Sequence, residues 1–315
     1  MLKLRNVDIA NFRGIRSGAI AGLANVNLVV GRNNSGKSTV IEAIMRTAQI
    51  AGGIQNRWAG TWLEEWQDIR KQRATAPPSM WFRSDTTKSI SVSLGFGDDP
   101  ATQITWRLES PSRPVGDIEG QSDDAKKYLQ VVGLFRPRDA ESDRIEQTLW
   151  PTLLSTRADK TLISGLKAIF GMEVEQLQVP PDGRMLLLFP DFSVPLDSHG
   201  DGTRSVLRSL MLLATMRDTM LFIEDPEAHQ NPSALSGLAR VLCDLARKQE
   251  VQLFISTHSL EAVRAFLAAV ETPNDVAVFH FDLHDGALSS RRLVKDVVER
   301  LVATGVDPRS LDVYL

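Results

Sequence analysis

The sequence predicts an α/β chain whose core is a mostly parallel sheet, and three stretches predict it. Val26-Asn27-Leu28-Val29-Val30 is a short, nearly continuous apolar run, the pattern of a strand covered on both faces. It leads directly into Gly31-Arg32-Asn33-Asn34-Ser35-Gly36-Lys37-Ser38, which fits the spacing G-x-x-x-x-G-K-[ST] of a phosphate-binding loop. Val40, Ile41, Ile44, Met45 and Ala48 then follow helical spacing until Gly52-Gly53 stops them. In the second half, apolar runs at 220–223 and 251–255 flank a helical pattern over 232–247, the spacing of a crossover between parallel strands.

Strand, loop and helix in that order form an anion site. The loop turns backbone N–H groups and a helix N-terminus toward phosphate oxygens, Lys37 adds a point charge, and the Ser38 hydroxyl reaches a magnesium ion.

Composition narrows the class. A chain of 315 residues can bury a substantial core, and one composite domain is expected. A net charge of −3 argues against a surface coated in basic residues, although a local basic groove is compatible with it. The lone cysteine, Cys243, lies in the apolar helical pattern of Leu238, Leu242 and Leu245 and reads as core, which fits a reducing compartment. The first residues, Met1-Leu2-Lys3-Leu4-Arg5, intersperse charge where a secretory signal needs an apolar run. No later stretch approaches the ~18 consecutive apolar residues of a membrane span, so a cytoplasmic protein without a membrane association is expected.

Along the chain, residues 2–30 alternate as strands with breaks at Asn11-Phe12-Arg13-Gly14 and Gly22, an antiparallel entry to the loop. Trp58, Trp62 and Trp66 recur every fourth residue on a predicted helix that also carries Arg57, Arg70, Lys71 and Arg73. The stripe suits packing with a solvated basic side, and the same interleaving suits a nucleic-acid or partner surface. After Pro77-Pro78, 89–96 and 103–108 read as a hairpin turned by Asp98-Asp99-Pro100-Ala101, and 110–127, rich in Ser, Pro, Gly and Asp, reads as a mobile loop. A strand over 129–135, an amphipathic helix over 160–170 and a hairpin pairing 173–179 with 184–189 complete the first half. The chain closes with a hairpin, 276–283 with 287–293, and a helix over 295–303. In that hairpin His280, Asp282 and His284 share one strand face and read as its solvent side.

Three further stretches carry chemistry. The strand at 220–223 ends in Glu224-Asp225-Pro226-Glu227, and acidic residues at a strand end beside a phosphate loop suit the Walker B role. Glu224 is assigned to the metal shell and Asp225 to polarising the attacking water. The strand at 251–255 ends in Ser256-Thr257-His258, where a histidine can contact a terminal phosphate. Asp197-Ser198-His199-Gly200-Asp201-Gly202-Thr203-Arg204 opens a helical run with small residues, a second potential anion site or a structural glycine turn.

In order and neighbourhood these motifs resemble the ABC-type ATPase heads of the RecF, SMC and OLD (overcoming lysogenization defect) proteins, with the OLD-like group the nearest in flavour. Residues 9–15 resemble the N-terminal strand of those heads, 31–38 their Walker A motif, 198–203 their signature, 224–227 their Walker B and catalytic acid, and Thr257-His258 their switch histidine. The resemblance implies a P-loop NTPase fold of ABC type, with a mostly parallel core sheet, an antiparallel β subdomain and a helical lobe. As one composite domain it would divide into 1–56, an inserted lobe at 57–195, a returning core at 196–293 and a C-terminal helix at 294–315. It implies ATP and Mg2+ as cofactors. Nucleotide binding would fall to Gly31, Asn33, Asn34, Ser35, Gly36, Lys37, Ser38, Thr39 and Arg13, together with Ser198, Gly200 and Gly202. Ser38 and Glu224 would hold metal, and Lys37, Asp225 and His258 would serve catalysis. It also implies an ATP-dependent homodimer acting in DNA repair or phage defence, with DNA as a possible partner and a separately encoded nuclease or effector. Two departures stand out. The acidic pair reads Glu then Asp where many heads have Asp then Glu, which leaves open an ATP-gated scaffold with negligible hydrolysis. The roughly fifty residues after His258 are too few for the Toprim nuclease domain of long OLD proteins.

Overall fold

The computed structural model describes residues 2–52, 77–97, 99–110, 113–137 and 144–311; the predicted tryptophan-striped helix lies outside them. The chain enters through an antiparallel pair, β1 (Asn6–Phe12) and β2 (Ile15–Ala21), and then β3 (Val26–Val30) delivers it to the phosphate loop and α1 (Lys37–Ala51). β4 (Ile90–Phe96), β5 (Asp99–Ser110) and β6 (Arg113–Glu119) extend the antiparallel part, followed by α2 (Asp123–Leu129) and β7 (Val132–Phe135). Helices α3 (Arg144–Ser155) and α4 (Asp159–Phe170) precede three short strands, β8 (Gln176–Gln178), β9 (Leu186–Leu188) and β10 (Ser193–Pro195). Next come α5 (Asp201–Thr215), β11 (Met220–Glu224), α6 (Pro232–Gln249), β12 (Gln252–Ser256) and α7 (Leu260–Ala269). The hairpin β13 (Val276–His284) and β14 (Ala287–Val294) and the helix α8 (Lys295–Ala303) follow.

Among the described residues, eleven strands form one sheet in the order β6-β5-β4-β1-β2-β14-β13-β3-β12-β11-β7. The five from β13 to β7 are mutually parallel; β14, β2, β1, β4, β5 and β6 continue them through antiparallel pairings, apart from a short parallel pairing of β14 with β2, while β8, β9 and β10 form a small separate sheet. The parallel strands are mostly apolar because both faces are covered. Leu28, Leu221, Ile223 and Leu253 face a core built with α3 to α7, while Val29, Phe222, Phe254 and Phe279 face one shared with α1 and the antiparallel strands. Local chemistry sets the helix limits. Asn231 caps α6 by accepting from the Ala234 amide at 2.9 Å, Pro232 takes its first turn, and Arg247 and Lys248 complement its C-terminal end.

Four expectations are corrected. Where a loop over 110–127 is expected, the described residues hold a strand over 113–119 and the start of a helix at Asp123. β6 pairs with β5 as the sheet's edge strand, where Pro114 costs no interior hydrogen bond, and Ser122 caps α2 by accepting from the Ala125 amide at 3.1 Å. Leu129 ends that helix, so the following strand starts only at Val132. The turn into β5 is tighter than 98–101, because Phe96 already pairs with Asp99. His280 is buried, at 3% exposure, because β13 lies inside the sheet between β3 and β14. Among the described residues, no helix is long and apolar enough to cross a membrane.

Candidate nucleotide site

The site is assembled by strand register. Glu224 of β11 is level with Ser256 of β12, Ser256 with Val29 of β3, and Val30 with His280 of β13, so the segments leaving β11, β12 and β3 emerge along one edge. Backbone bonds stitch them together: the Asp225 amide donates to the Ser256 carbonyl at 2.9 Å and the Thr257 amide to the Val29 carbonyl at 3.2 Å. Lys37, Glu224, Asp225 and His258 therefore gather at the C-terminal ends of neighbouring parallel strands, where open α/β sheets bind ligands.

The loop is shaped for close backbone approach. Gly31 has φ +141°, and a Cβ there would stand 2.3 Å from the Phe281 carbonyl oxygen, so no side chain fits. Gly36, at φ +92°, caps α1 in the left-handed region with no side chain satisfying the helix's first amides and no acidic residue in its first turn. That leaves a helix N-terminus suited to an anion, which fits the phosphates of a nucleotide. Lys37 is buried and folded back on the loop, donating to the carbonyls of Gly31 and Arg32 at 2.8 Å each and lying 3.5 Å from Ser35 Oγ. Burial lowers its pKa to about 8, with the nearby carboxylates of Asp225 and Glu224 pulling the other way. Ser38 and Thr39 are half-buried at the start of α1, and Asn33 and Asn34 are exposed, Asn34 at φ +65°. The Ser38 hydroxyl and the Glu224 carboxylate are both oxygen donors of the kind that suits a magnesium ion. Arg13 pairs with the buried Glu42 of α1 at 2.5 Å, so in this chain its guanidinium braces the helix that follows the loop.

On the acidic side, Asp225 turns the chain at φ +49°. Glu227 ties the acidic stretch after β11 to the segment after β12. Its Oε1 accepts from Thr257 Oγ1 at 2.6 Å and from the His258 amide at 3.2 Å, while Oε2 is buried without a hydrogen-bond partner among the described residues. His258 is exposed; burial of part of the ring and the positive charge of Lys37 hold its pKa below the ordinary histidine range, against Asp225 and Glu227. The signature-like segment packs on the loop after β11. A Cβ on Gly202 would lie 2.6 Å from the His229 carbonyl oxygen, and Gln230 Nε2 donates to the Gly202 carbonyl at 3.0 Å. Gly200 caps α5, and Ser198 ends a single 3-10 turn just ahead of it. The thiol of Cys243 is buried and pushed up to about 12, in keeping with a core residue.

Comparison with known proteins finds relatives of the same fold. A family model described as the AAA ATPase domain matches residues 2–51 and 154–263. An OLD nuclease of Thermus scotoductus is 22% identical over 332 aligned positions, which cover 81% of this chain and 59% of that protein, so the chain spans little more than half its length. An uncharacterized protein of Methanocaldococcus jannaschii is 28% identical over 112 residues, 35% of this chain and 98% of that protein. Among solved structures, the SMC head domain of Thermotoga maritima superposes with a TM-score of 0.58 at 13% identity, covering 92% of this chain and 99% of that one. The Smc head of Pyrococcus furiosus, solved bound to the C-terminal domain of ScpA, gives 0.59 at 11% identity over 96% of this chain and 99% of that one.

Proposed function

The chain belongs to the AAA ATPase domain family and is an ABC-type ATPase head of the RecF/SMC/OLD-like group, and from that premise we propose that it is a Mg-ATP-dependent ATPase in which two heads sandwich ATP. The observation that carries this reading is the convergence of Lys37, Glu224, Asp225 and His258 on one set of strand ends. The loop amides and Lys37 bind the phosphates and stabilise charge developing on the transferred group, Asp225 orients the attacking water, and His258 contacts the terminal phosphate. Ser38 and Glu224 hold Mg2+, which when bound neutralises phosphate charge. Ser198, Gly200 and Gly202 of a second head complete the sandwich, so that ATP closes the dimer and hydrolysis opens it.

The output is a DNA-related process, repair or defence against phage, exerted through a separately encoded nuclease or effector. The OLD nuclease relative and the likeness to SMC heads support this direction. The test is the elution volume of Asp225→Asn with saturating Mg-ATP: a dimer is expected, reverting to monomer with Lys37→Ala, and a strictly monomeric profile overturns the sandwich. Turnover measured with and without single- and double-stranded DNA at two salt concentrations reads out DNA contact, which should fade as salt rises.

A second reading, an ATP-gated scaffold that hydrolyses negligibly, is favoured by the Glu224-Asp225 order, which puts the shorter carboxylate at the water. Wild-type turnover no greater than that of Lys37→Ala selects it.

A further inference from the structure

We propose that Arg309 is a positioning residue for hydrolysis, holding the segment that carries His258 in place from outside every nucleotide motif. The inference rests on the ATPase reading above and extends it to a residue 51 positions beyond the histidine.

The peptide groups of His258 are gripped from two sides. Its amide donates inward to Glu227 Oε1 at 3.2 Å, and its carbonyl accepts from Arg309 Nη1 at 2.5 Å. With the neighbouring Thr257 hydroxyl also bound to Glu227, at 2.6 Å, the backbone on either side of the imidazole is fixed, and with it the direction in which the ring projects. A charged donor on a carbonyl makes a stronger bond than a neutral one.

Arg309 is itself held ready. Its Nε donates to the two oxygens of Asp307 at 2.9 and 3.0 Å, its Nη2 donates to Oδ2 at 2.5 Å, and its backbone amide donates to Oδ1 at 2.9 Å. The segment that presents it is reversed after α8 by Gly305, at φ +81°, with the Val306 amide donating to the Leu301 carbonyl at 2.8 Å, and Pro308 and Leu311 are buried on either side of it. A surface arginine paired only with its neighbour does little; this one spends its remaining arm on the switch segment. The charged groups around His258 are Lys37, Asp225, Glu227 and Arg309; burial lowers its pKa, Lys37 and Arg309 act in the same direction, and Asp225 and Glu227 oppose them.

The experiment is a double-mutant cycle on ATP turnover, joined to amide hydrogen exchange on the nucleotide-free chain. Arg309→Ala should lower kcat about tenfold, the worth of one charge-assisted hydrogen bond, with KM within about twofold. Arg309→Lys, which keeps the charge and loses the fork, should fall between it and the wild type. In a His258→Ala background the Arg309→Ala loss should shrink to under about twofold, because the residue it positions is gone. Exchange across residues 256–259 should quicken in Arg309→Ala without a general change elsewhere. An unaltered kcat, losses that multiply independently, or unaltered exchange would each overturn the proposal. Should wild-type turnover not exceed that of Lys37→Ala, the ATPase reading fails, and the exchange experiment alone decides whether Arg309 holds the segment.

Discussion

The two ends of the same parallel strands are built on opposite rules. At the end where β3, β12 and β11 begin, polar groups are buried and paired. Gln252 donates to the carbonyls of Leu4 and Ala24 at 2.9 and 2.6 Å and accepts from the Leu4 amide at 3.1 Å and the Tyr128 hydroxyl at 2.7 Å. Asn27 closes on Ala24 with bonds in both directions, and the Thr219 hydroxyl donates to the carbonyl of Tyr128. At the end where those strands finish, Glu227 Oε2 and Gln230 Oε1 are buried without hydrogen-bond partners among the described residues. Buried polar groups in native proteins are overwhelmingly paired, so the contrast separates an end that stabilises the fold from one that keeps donors, acceptors and charge available for a ligand.

Breaking the contrast at its functional end should give the largest effect. Lys37→Ala is expected to lower ATP turnover at least about a hundredfold, the scale of losing a preorganised charge at the reacting group, with little change in thermal midpoint. Breaking it at the base should do the reverse. Gln252→Leu strands the Tyr128 hydroxyl and the backbone amide and carbonyl of Leu4, so denaturant unfolding should show a loss of about 3 kcal/mol while kcat stays near wild type at a temperature where the variant is folded.

The smallest effect sharpens the comparison through pH. In the folded chain Lys37 titrates at about 8, against 10.5 for an unperturbed lysine. Between those values the unfolded chain binds more protons, so this group makes the nucleotide-free, metal-free chain more stable as pH rises, and its burial cost is fully felt below about 8. The unfolding midpoint of the wild type relative to Lys37→Met should therefore climb from pH 8 to 10; a flat or falling difference would show that the lysine is not held in a desolvated position.

How much of this was legible in sequence follows from how local each signal is. The phosphate loop, the acidic strand end and the switch histidine are contiguous runs attached to strands with an apolar signature, so their places in the sheet could be read directly. The closing hairpin is legible as a hairpin, but the burial of His280 depends on β14 and β3 flanking its strand, which no local pattern records. Residues 110–127 misled because Pro, Gly, Ser and Asp mark loops in general, yet an edge strand tolerates Pro114 and a Ser-Asp-Asp start is a helix cap. Helices α3 and α7 carry weaker local signals, although Ser259, which accepts from the Ala262 amide, is a capping residue that marks the start of the second. Glu227 lay within a motif without a stated task, and Arg309 lay in none. Both owe their roles to hydrogen bonds that span 30 or more positions, which only the folded chain brings together.

The claim that one end of the strands carries the chemistry and the other the stability is met most directly by ATP turnover measured side by side for the wild type, Gln252→Leu and Lys37→Ala under conditions where all three are folded. The account predicts wild type and Gln252→Leu together, with Lys37→Ala at background. Turnover retained in Lys37→Ala, or lost equally in Gln252→Leu, would contradict it.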